Sequence, residues 1–327
     1  MSTYRSLYLY PFEHNNGFIE RTKEVYARQG FHIEPLKALF SSANLGKREK
    51  NTVVLNWYED QPFRKGLKGL RRILFIFSFF ISIVAMRLFS HRIIWLRHNF
   101  KPHNLARENL LFRVTVWLLN KVAHQTVTLE PVNAISSQVV RHPLYQPDAA
   151  LSTVIEQTRG RPRSIDYLYF GVIKPYKRLD KLLRAWPVSQ SLTIMGKCSD
   201  EAHTRLLNEI ISQRNLDVTW HNAFIEQDDL EKAVADARYV IIPHEDGAMI
   251  SSGTFYMALS LGANVLCFDS EFGRAKAAEF SFVQVLDAAH LDTQLPALSY
   301  TSADIVIEQA MQKYGDREVQ LSWRKVL

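Results

Sequence analysis

Three stretches of this 327-residue chain carry side chains that could do chemistry. In "HRIIWLRHNFKPHN" (91–104) an apolar, strand-like run ends in His98-Asn99, and a second pair, His103-Asn104, follows a proline. Strand ends that release polar residues into a loop are where α/β proteins place their ligands. In "YFGVIKPYKRLDKLL" Gly171 closes a strand, and Lys174, Lys177 and Arg178 follow in the loop. Three cations at a strand's C-terminal end suit a diphosphate. In "EDGAMISSGTFYMALSLG" Ser251-Ser252-Gly253-Thr254 stands where a helix should begin. A helix N-terminus offers unpaired N–H groups and partial positive charge, glycine lets an anion approach the backbone, and the hydroxyls add donors. Each stretch alone has an ordinary alternative: a structural histidine, a solvated basic loop, a plain N-cap. Together, a cationic strand end and a helix N-terminus in one α/β domain would clamp a diphosphate from two sides.

The elements that must position these residues follow a strand-loop-helix rhythm. Tyr4 to Tyr10 reads as a first strand, with "FIERTKEVYARQG" as a helix stopped at Gly30. "NTVVLNWYED" reads as a buried strand ending in polar groups, and Leu110 to Val122 as a helix. The rhythm restarts at "DYLYFGVI" and runs through "SLTIMG", "RYVIIPHE" and "ANVLCFD". It predicts βαβ units with mostly parallel sheets. The polar, turn-rich segment 146–163 reads as a linker. The expectation is therefore two α/β domains, 1–148 and 149–327, with a ligand cleft between them and a last helix able to pack back on the first.

The charge is +7, from 40 basic and 33 acidic residues, which predicts attraction to an anionic partner. The two cysteines, Cys198 and Cys267, have no metal-ligand spacing and fit a reducing compartment. The N-terminus lacks a signal-peptide pattern. The uncharged run "ILFIFSFFISIVAM" (73–86) is shorter than the ~20 residues a membrane-crossing helix needs. Basic residues flank it at Arg64, Lys65, Lys68, Arg71 and Arg72, then at Arg87 and Arg92. Two readings stand: a buried core helix, or a helix lying in a membrane interface. The second sets Arg71 and Arg72 on anionic headgroups, with Phe75, Phe77, Phe79 and Phe80 as its apolar contacts.

No G-x-x-x-x-G-K-[ST] or G-x-G-x-x-G pattern occurs, which disfavours a P-loop ATPase and a dinucleotide dehydrogenase. The three stretches, in this order, resemble the GT-B glycosyltransferases, specifically the large retaining nucleotide-sugar family and its bacterial exopolysaccharide branch. "YFGVIKPYKRLDKLLRAW" is similar to the donor-domain pattern F-x-G-x-[IL]-[RK]-x-Y-K-G. "EDGAMISSGTFYMALSLGANVLCFD" is similar to the later donor loop and helix. "IIWLRHNFKPHN" and "RHPLYQP" are similar to first-domain segments of that branch. The resemblance spans both halves of the chain.

The resemblance implies a GT-B fold, two Rossmann-like domains facing each other across a cleft, and transfer of a sugar from a UDP- or GDP-sugar. Lys174 and Lys177 would hold the diphosphate with Gly171, Ser251, Ser252, Gly253 and Thr254, and Glu245 would contact the donor. His98 would stand near the reacting centre, with Asn99, His103 and His142 as further cleft residues. The chain departs from the pattern at Val172, Arg178 and Asn264, and a second acidic residue usual in the donor loop is missing. An inverting enzyme needs a general base in the first domain. Glu13 and His14 after the first strand are candidates, although a polar surface turn would look the same. No D-x-D motif occurs, so no metal cofactor is expected.

The resulting expectation is a membrane-associated transferase on the cytoplasmic face of the inner membrane. It would act on a polyprenyl-diphosphate-linked saccharide during surface polysaccharide synthesis. The alternative within the class is an inverting β-mannosyl- or glucuronosyltransferase. The alternative outside it is a non-catalytic nucleic-acid-binding or scaffold protein. The cations cluster at the apolar segment and one strand-end loop, without the interleaved aromatics of a nucleic-acid platform.

Overall fold

The computed structural model describes residues 5–14, 16–64, 66, 68–100, 109–132, 134–135, 137–244 and 250–327. The chain divides into two compact units: Met1–Pro143 with Met249–Ser251 and Asp316–Leu327, and Leu144–Ala248 with Ser252–Gly315.

In unit 1 the order is β1 (Arg5–Tyr10), α1 (Gly17–Arg28), β2 (Phe31–Pro35), β3 (Asn51–Asn56), α2 (Gly69–Phe89), β4 (Arg92–Leu96), α3 (Leu110–Val122), β5 (Gln125–Thr128) and β6 (Gln138–Val139). Every strand pairing is parallel, in the order β2-β1-β3-β4-β5-β6. Strand β3 is buried along its whole length, as expected of a parallel strand covered on both faces. The chain runs from β1 outward to β2 on one side and from β3 to β4 on the other. The gap at the C-terminal ends of β1 and β3 is thus a topological switch point, where such sheets receive ligands. Local caps fix the helices: the Asn16 side chain accepts from the Phe18 amide, and the Asn109 side chain from the Phe112 amide.

Helix α2 corrects the length expected of the apolar segment. It has 21 residues, about 32 Å at 1.5 Å per residue, because Arg71, Arg72 and Arg87 are part of the helix rather than its flanks. Only Phe79, Ile83 and Met86 are buried, against Val53, Leu55, Tyr58, Ile93 and Trp95 on one face of the sheet. Phe79 therefore faces the protein core, and Phe80 is half-buried against the same cluster, whereas Phe77 is exposed. A single buried stripe excludes the fully buried core-helix reading.

Unit 2 contains α4 (Asp148–Thr158), β7 (Ile165–Phe170), α5 (Leu179–Ala185), β8 (Leu192–Met195), α6 (Glu201–Gln213), β9 (Val218–His221), α7 (Gln227–Asp236), β10 (Ala237–Ile242), α8 (Gly253–Ser260), β11 (Asn264–Phe268), α9 (Glu271–Glu279), β12 (Val283–Leu286), α10 (Leu291–Gln294) and α11 (Ala303–Tyr314). Its sheet is again parallel, ordered β12-β11-β10-β7-β8-β9. The switch point lies between β7 and β10. The expected linker at 146–163 is largely helix α4. Leu151, Ile155 and Thr158 recur at helical spacing and are buried, while the polar residues between them face solvent. The last helix, α12 (Asp316–Arg324), belongs to unit 1, where Trp323 meets the Tyr26 ring edge-on at 5.0 Å.

Candidate functional site

In unit 2 the switch point gathers groups from three elements. After β7, Gly171 takes φ +108°, a conformation that favours glycine. A Cβ placed there would lie 3.3 Å from Lys177 Nζ and 3.9 Å from Thr254 Oγ1, so both polar ends converge over this glycine. The loop then forms a 3-10 turn, Pro175–Lys177, that aims Lys177 inward. Arg178, which stands where the similar motif carries glycine, adopts φ +57°. The backbone keeps the left-handed turn that glycine adopts without strain, and an arginine side chain bears it.

From β10, His244 enters the site buried, with its Nδ1 lacking a hydrogen-bond partner. From α8 come Ser252, Gly253 and Thr254. Ser252 occupies the N-cap position but makes no capping hydrogen bond, and its buried Oγ has no partner among the described residues. This geometry is the one an anion cradle needs. An ordinary N-cap serine spends its hydroxyl on the helix, and this one does not.

The electrostatics agree. Among the described residues Lys177 has no side-chain hydrogen bond or ion pair. Burial, and then the neighbouring Lys174 charge, bring its pKa down to about 8. Burial and the Lys177 charge bring His244 down to about 3, so this imidazole is neutral. A desolvated cation, a helix N-terminus and unpartnered donors at one strand edge form a site for a polyanion. Nothing in the sequence marks His244, because its burial at the strand end depends on the fold. Glu245 lies outside the described residues. Ser251 is grouped with unit 1, and its Oγ is also buried without a partner.

In unit 1 the strand-end loops meet around Trp57, which follows β3 in a left-handed conformation, φ +49°. His98, after β4, stacks on Trp57 at 4.1 Å, and His14, after β1, stacks on it at 5.1 Å. Phe18 packs on His98 at 5.2 Å and on His142 at 4.8 Å. Asn56 donates from Nδ2 to the Tyr10 carbonyl, so its Oδ1 faces His98 Nε2 at 3.1 Å and places the proton on that nitrogen. The Ile250 amide donates to the His98 carbonyl at 3.3 Å. The Asn16 amide donates to His14 Nδ1, which leaves Nε2 as a hydrogen-bond donor. Partial burial lowers the His14 pKa, so the ring stays neutral near pH 7. Glu13 is exposed beside it, Asn99 is buried next to His98, and His142 donates from Nδ1 to the Pro143 carbonyl. His103 lies outside the described residues.

A carboxylate pair also went unread. Glu59 is buried at the end of "NTVVLNWYED" and accepts from Trp95 Nε1 at 2.9 Å, while its other oxygen and Asp60 Oδ1 are buried without partners. Burial raises both carboxyl pKa values. The Glu59 charge raises Asp60 further, and Trp95 and Arg97 partly restrain Glu59. Native protein thus holds protons that the unfolded chain releases near pH 4. The Asp60 contribution to stability should fall as pH rises from about 4 to about 8, by up to about 1.4 kcal/mol per pH unit, while neutral His244 contributes in the opposite sense between about pH 3 and 6.5. Urea midpoints at pH 5 and pH 8 check this. The stability of Asp60→Asn relative to wild type should rise between those two pH values, and a difference that does not change with pH would contradict it.

No family model matches the chain. The GDP-mannose:glycolipid 4-beta-D-mannosyltransferase of Xanthomonas campestris pv. campestris is 28% identical over 227 residues, 66% of this chain and 62% of that protein. The chain thus spans about three-fifths of that curated relative's length. Among solved structures, AviGT4, a glycosyltransferase involved in avilamycin A biosynthesis, aligns with TM-score 0.57 and 12% identity over 98% of this chain and 96% of its own. The UDP-forming α,α-trehalose-phosphate synthase of Burkholderia vietnamiensis aligns with TM-score 0.62 and 9% identity, covering 99% and 95%. With two parallel six-stranded sheets, the fold is that of the GT-B glycosyltransferases.

Proposed function

We propose that this chain is a glycosyltransferase that moves mannose from GDP-mannose to a glycolipid at a membrane surface. The observation that carries the reading is the unit 2 cradle: Lys177 and Thr254 converging over Gly171, with an unpartnered Ser252 hydroxyl at the start of α8. The choice of GDP-mannose and of a glycolipid rests on the likeness to the Xanthomonas campestris protein. The acceptor we infer is a polyprenyl-diphosphate-linked saccharide, taken at the cytoplasmic face of the membrane during surface polysaccharide assembly.

A β-linked product from an α-linked nucleotide sugar requires inversion. The acceptor hydroxyl oxygen bonds to the sugar C1, its proton passes to a base, and the C1–O bond to the diphosphate breaks with both electrons leaving on phosphate oxygen. Lys174, Lys177 and the α8 amides would neutralise that departing charge where it develops. The acceptor side of the reaction falls to unit 1. There Glu13 is an exposed carboxylate in the loop after β1. His14 would need its other tautomer, and the loss of the Asn16 bond, to accept a proton.

A thermal-shift panel of GDP, UDP, ADP and CMP tests the reading. GDP at 100 times its dissociation constant should add about 2.7 kcal/mol of stability. A shift from another nucleotide alone would replace the donor, and no shift from any would remove the donor site and favour a scaffold.

Lys177 adds a second signature. Free, it is about half protonated at pH 8, and a bound diphosphate raises its pKa. Binding at pH 8.5 should therefore take up about three-quarters of a proton, with little uptake at pH 6.5. Calorimetry in buffers of different ionisation enthalpy reads this directly, and equal uptake at both pH values would contradict it.

A further inference from the structure

We infer that α2 and α3 together form a two-helix platform that seats unit 1 on an anionic lipid bilayer. This extends the membrane part of the proposed function to a second helix and to a defined set of cations.

Both helices pack on one face of the unit 1 sheet. Phe79, Ile83 and Met86 of α2 share a core cluster with Leu119 and Val122 of α3. Their outer faces therefore point the same way, away from the sheet. On α2, Leu70, Ile73, Leu74, Phe77, Ile81, Val84 and Leu88 are exposed at helical spacing, Phe77 by 66%. On α3, Leu110, Val114 and Trp117 are exposed at i, i+4 and i+7, Trp117 by 59%. A contiguous apolar layer of this kind marks an interaction surface.

Charge selects the occupant. Neither helix contains an acidic residue, while Arg71, Arg72, Arg87, Arg113 and Lys121 lie on them. At their C-terminal ends Arg87 reaches His124 Nε2 at 2.9 Å and the Lys121 carbonyl at 3.3 Å, which ties the two helices together. Arg48 and Arg92 add positive charge around His124. A second copy of the chain would bring these cations against themselves. An anionic headgroup layer answers both the apolar stripes and the basic rim, with Trp117 at the depth where indole rings prefer to lie.

The platform also explains how α2 can be long enough to cross a bilayer without doing so. Its middle is held against the sheet, and the Tyr58 hydroxyl bonds Ser82 at 2.9 Å. The N-terminal ends of α2 and α3 lie at the strand edge that carries Trp57 and His98, so a lipid-linked saccharide would meet those loops at the surface.

Flotation with vesicles of phosphatidylcholine, with and without phosphatidylglycerol, tests the inference on the full chain. Wild type should float with the anionic vesicles. Trp117→Glu, an exposed change, should lower partition at least tenfold at unchanged melting temperature. R113Q with K121Q should lower it about tenfold on anionic vesicles only. Bromine-labelled lipids should quench wild-type tryptophan fluorescence more than that of Trp117→Phe. Unchanged partition of Trp117→Glu would overturn the platform, as would a wild-type dimer that this variant converts to monomer. Absence of any flotation would overturn every membrane role while leaving nucleotide binding, tested separately, intact.

Discussion

Lys177→Ala is expected to weaken GDP binding about a hundredfold while leaving the fold at least as stable as before. The two effects have one cause. In the free protein the Lys177 side chain is half-buried, and its ammonium is partly desolvated, pressed by Lys174, and without a side-chain partner among the described residues. An uncompensated buried charge is a cost to folding. A bound diphosphate supplies the missing partner through charge-assisted hydrogen bonds, each worth about 1.5–3 kcal/mol. Losing one of them corresponds to roughly ten- to 150-fold in affinity. Calorimetric titration with GDP and a urea melt separate the terms. A variant that binds GDP normally contradicts the assignment. A variant that unfolds more easily shows Lys177 to be structural. Lys177→Arg should restore little, because a planar guanidinium is longer and wider than the ammonium it would replace over Gly171.

Gly196→Ala should be the most damaging single methyl in unit 2. A Cβ there would stand 2.0 Å from the Gly171 carbonyl oxygen and 2.9 Å from its carbon, both backbone atoms that cannot swing aside. Relief requires the end of β8 to move away from the end of β7. That breaks the Gly171 amide bond to the Met195 carbonyl, 2.9 Å, and the Ile173 bond to Lys197, 3.0 Å. We expect a loss of about 3 kcal/mol or more, together with loss of GDP binding, since Gly171 is the floor of the cradle. Thermal melts and titration of the same sample check both. A stable, GDP-binding Gly196→Ala protein would mean that the β7 and β8 ends are not coupled as described.

Much of the frame was legible because it rests on periodicity. The α3 bounds, the β7 and β10 strands and the helix start at Gly253 all follow from apolar spacing bounded by loop residues. Lys174 and Lys177 stand out in the sequence because cations after a strand-ending glycine have a recognisable pattern. What escaped depends on solvent access, which a one-dimensional pattern does not encode. The α4 segment reads as polar because two-thirds of a surface helix is polar, and only Leu151, Ile155 and Thr158 reveal its buried side. Phe79 and Phe77 are alike in sequence, yet one lies in the core and the other in solvent. Glu59 and Asp60 look like an ordinary acidic turn, and only burial lifts their pKa values. The unused Ser252 hydroxyl is invisible in sequence, and it is what separates a cradle from a cap.

The central claim is transfer of mannose to a lipid. The most direct measurement incubates radiolabelled GDP-mannose with membranes that carry the acceptor and purified wild-type or Lys177→Ala protein, then counts label in the organic extract. Label that enters the extract with wild type, is at least about a hundredfold slower with Lys177→Ala, and is competed by unlabelled GDP is the predicted result. Label that stays in the aqueous phase, from membranes on which a bona fide lipid mannosyltransferase is active, would contradict it.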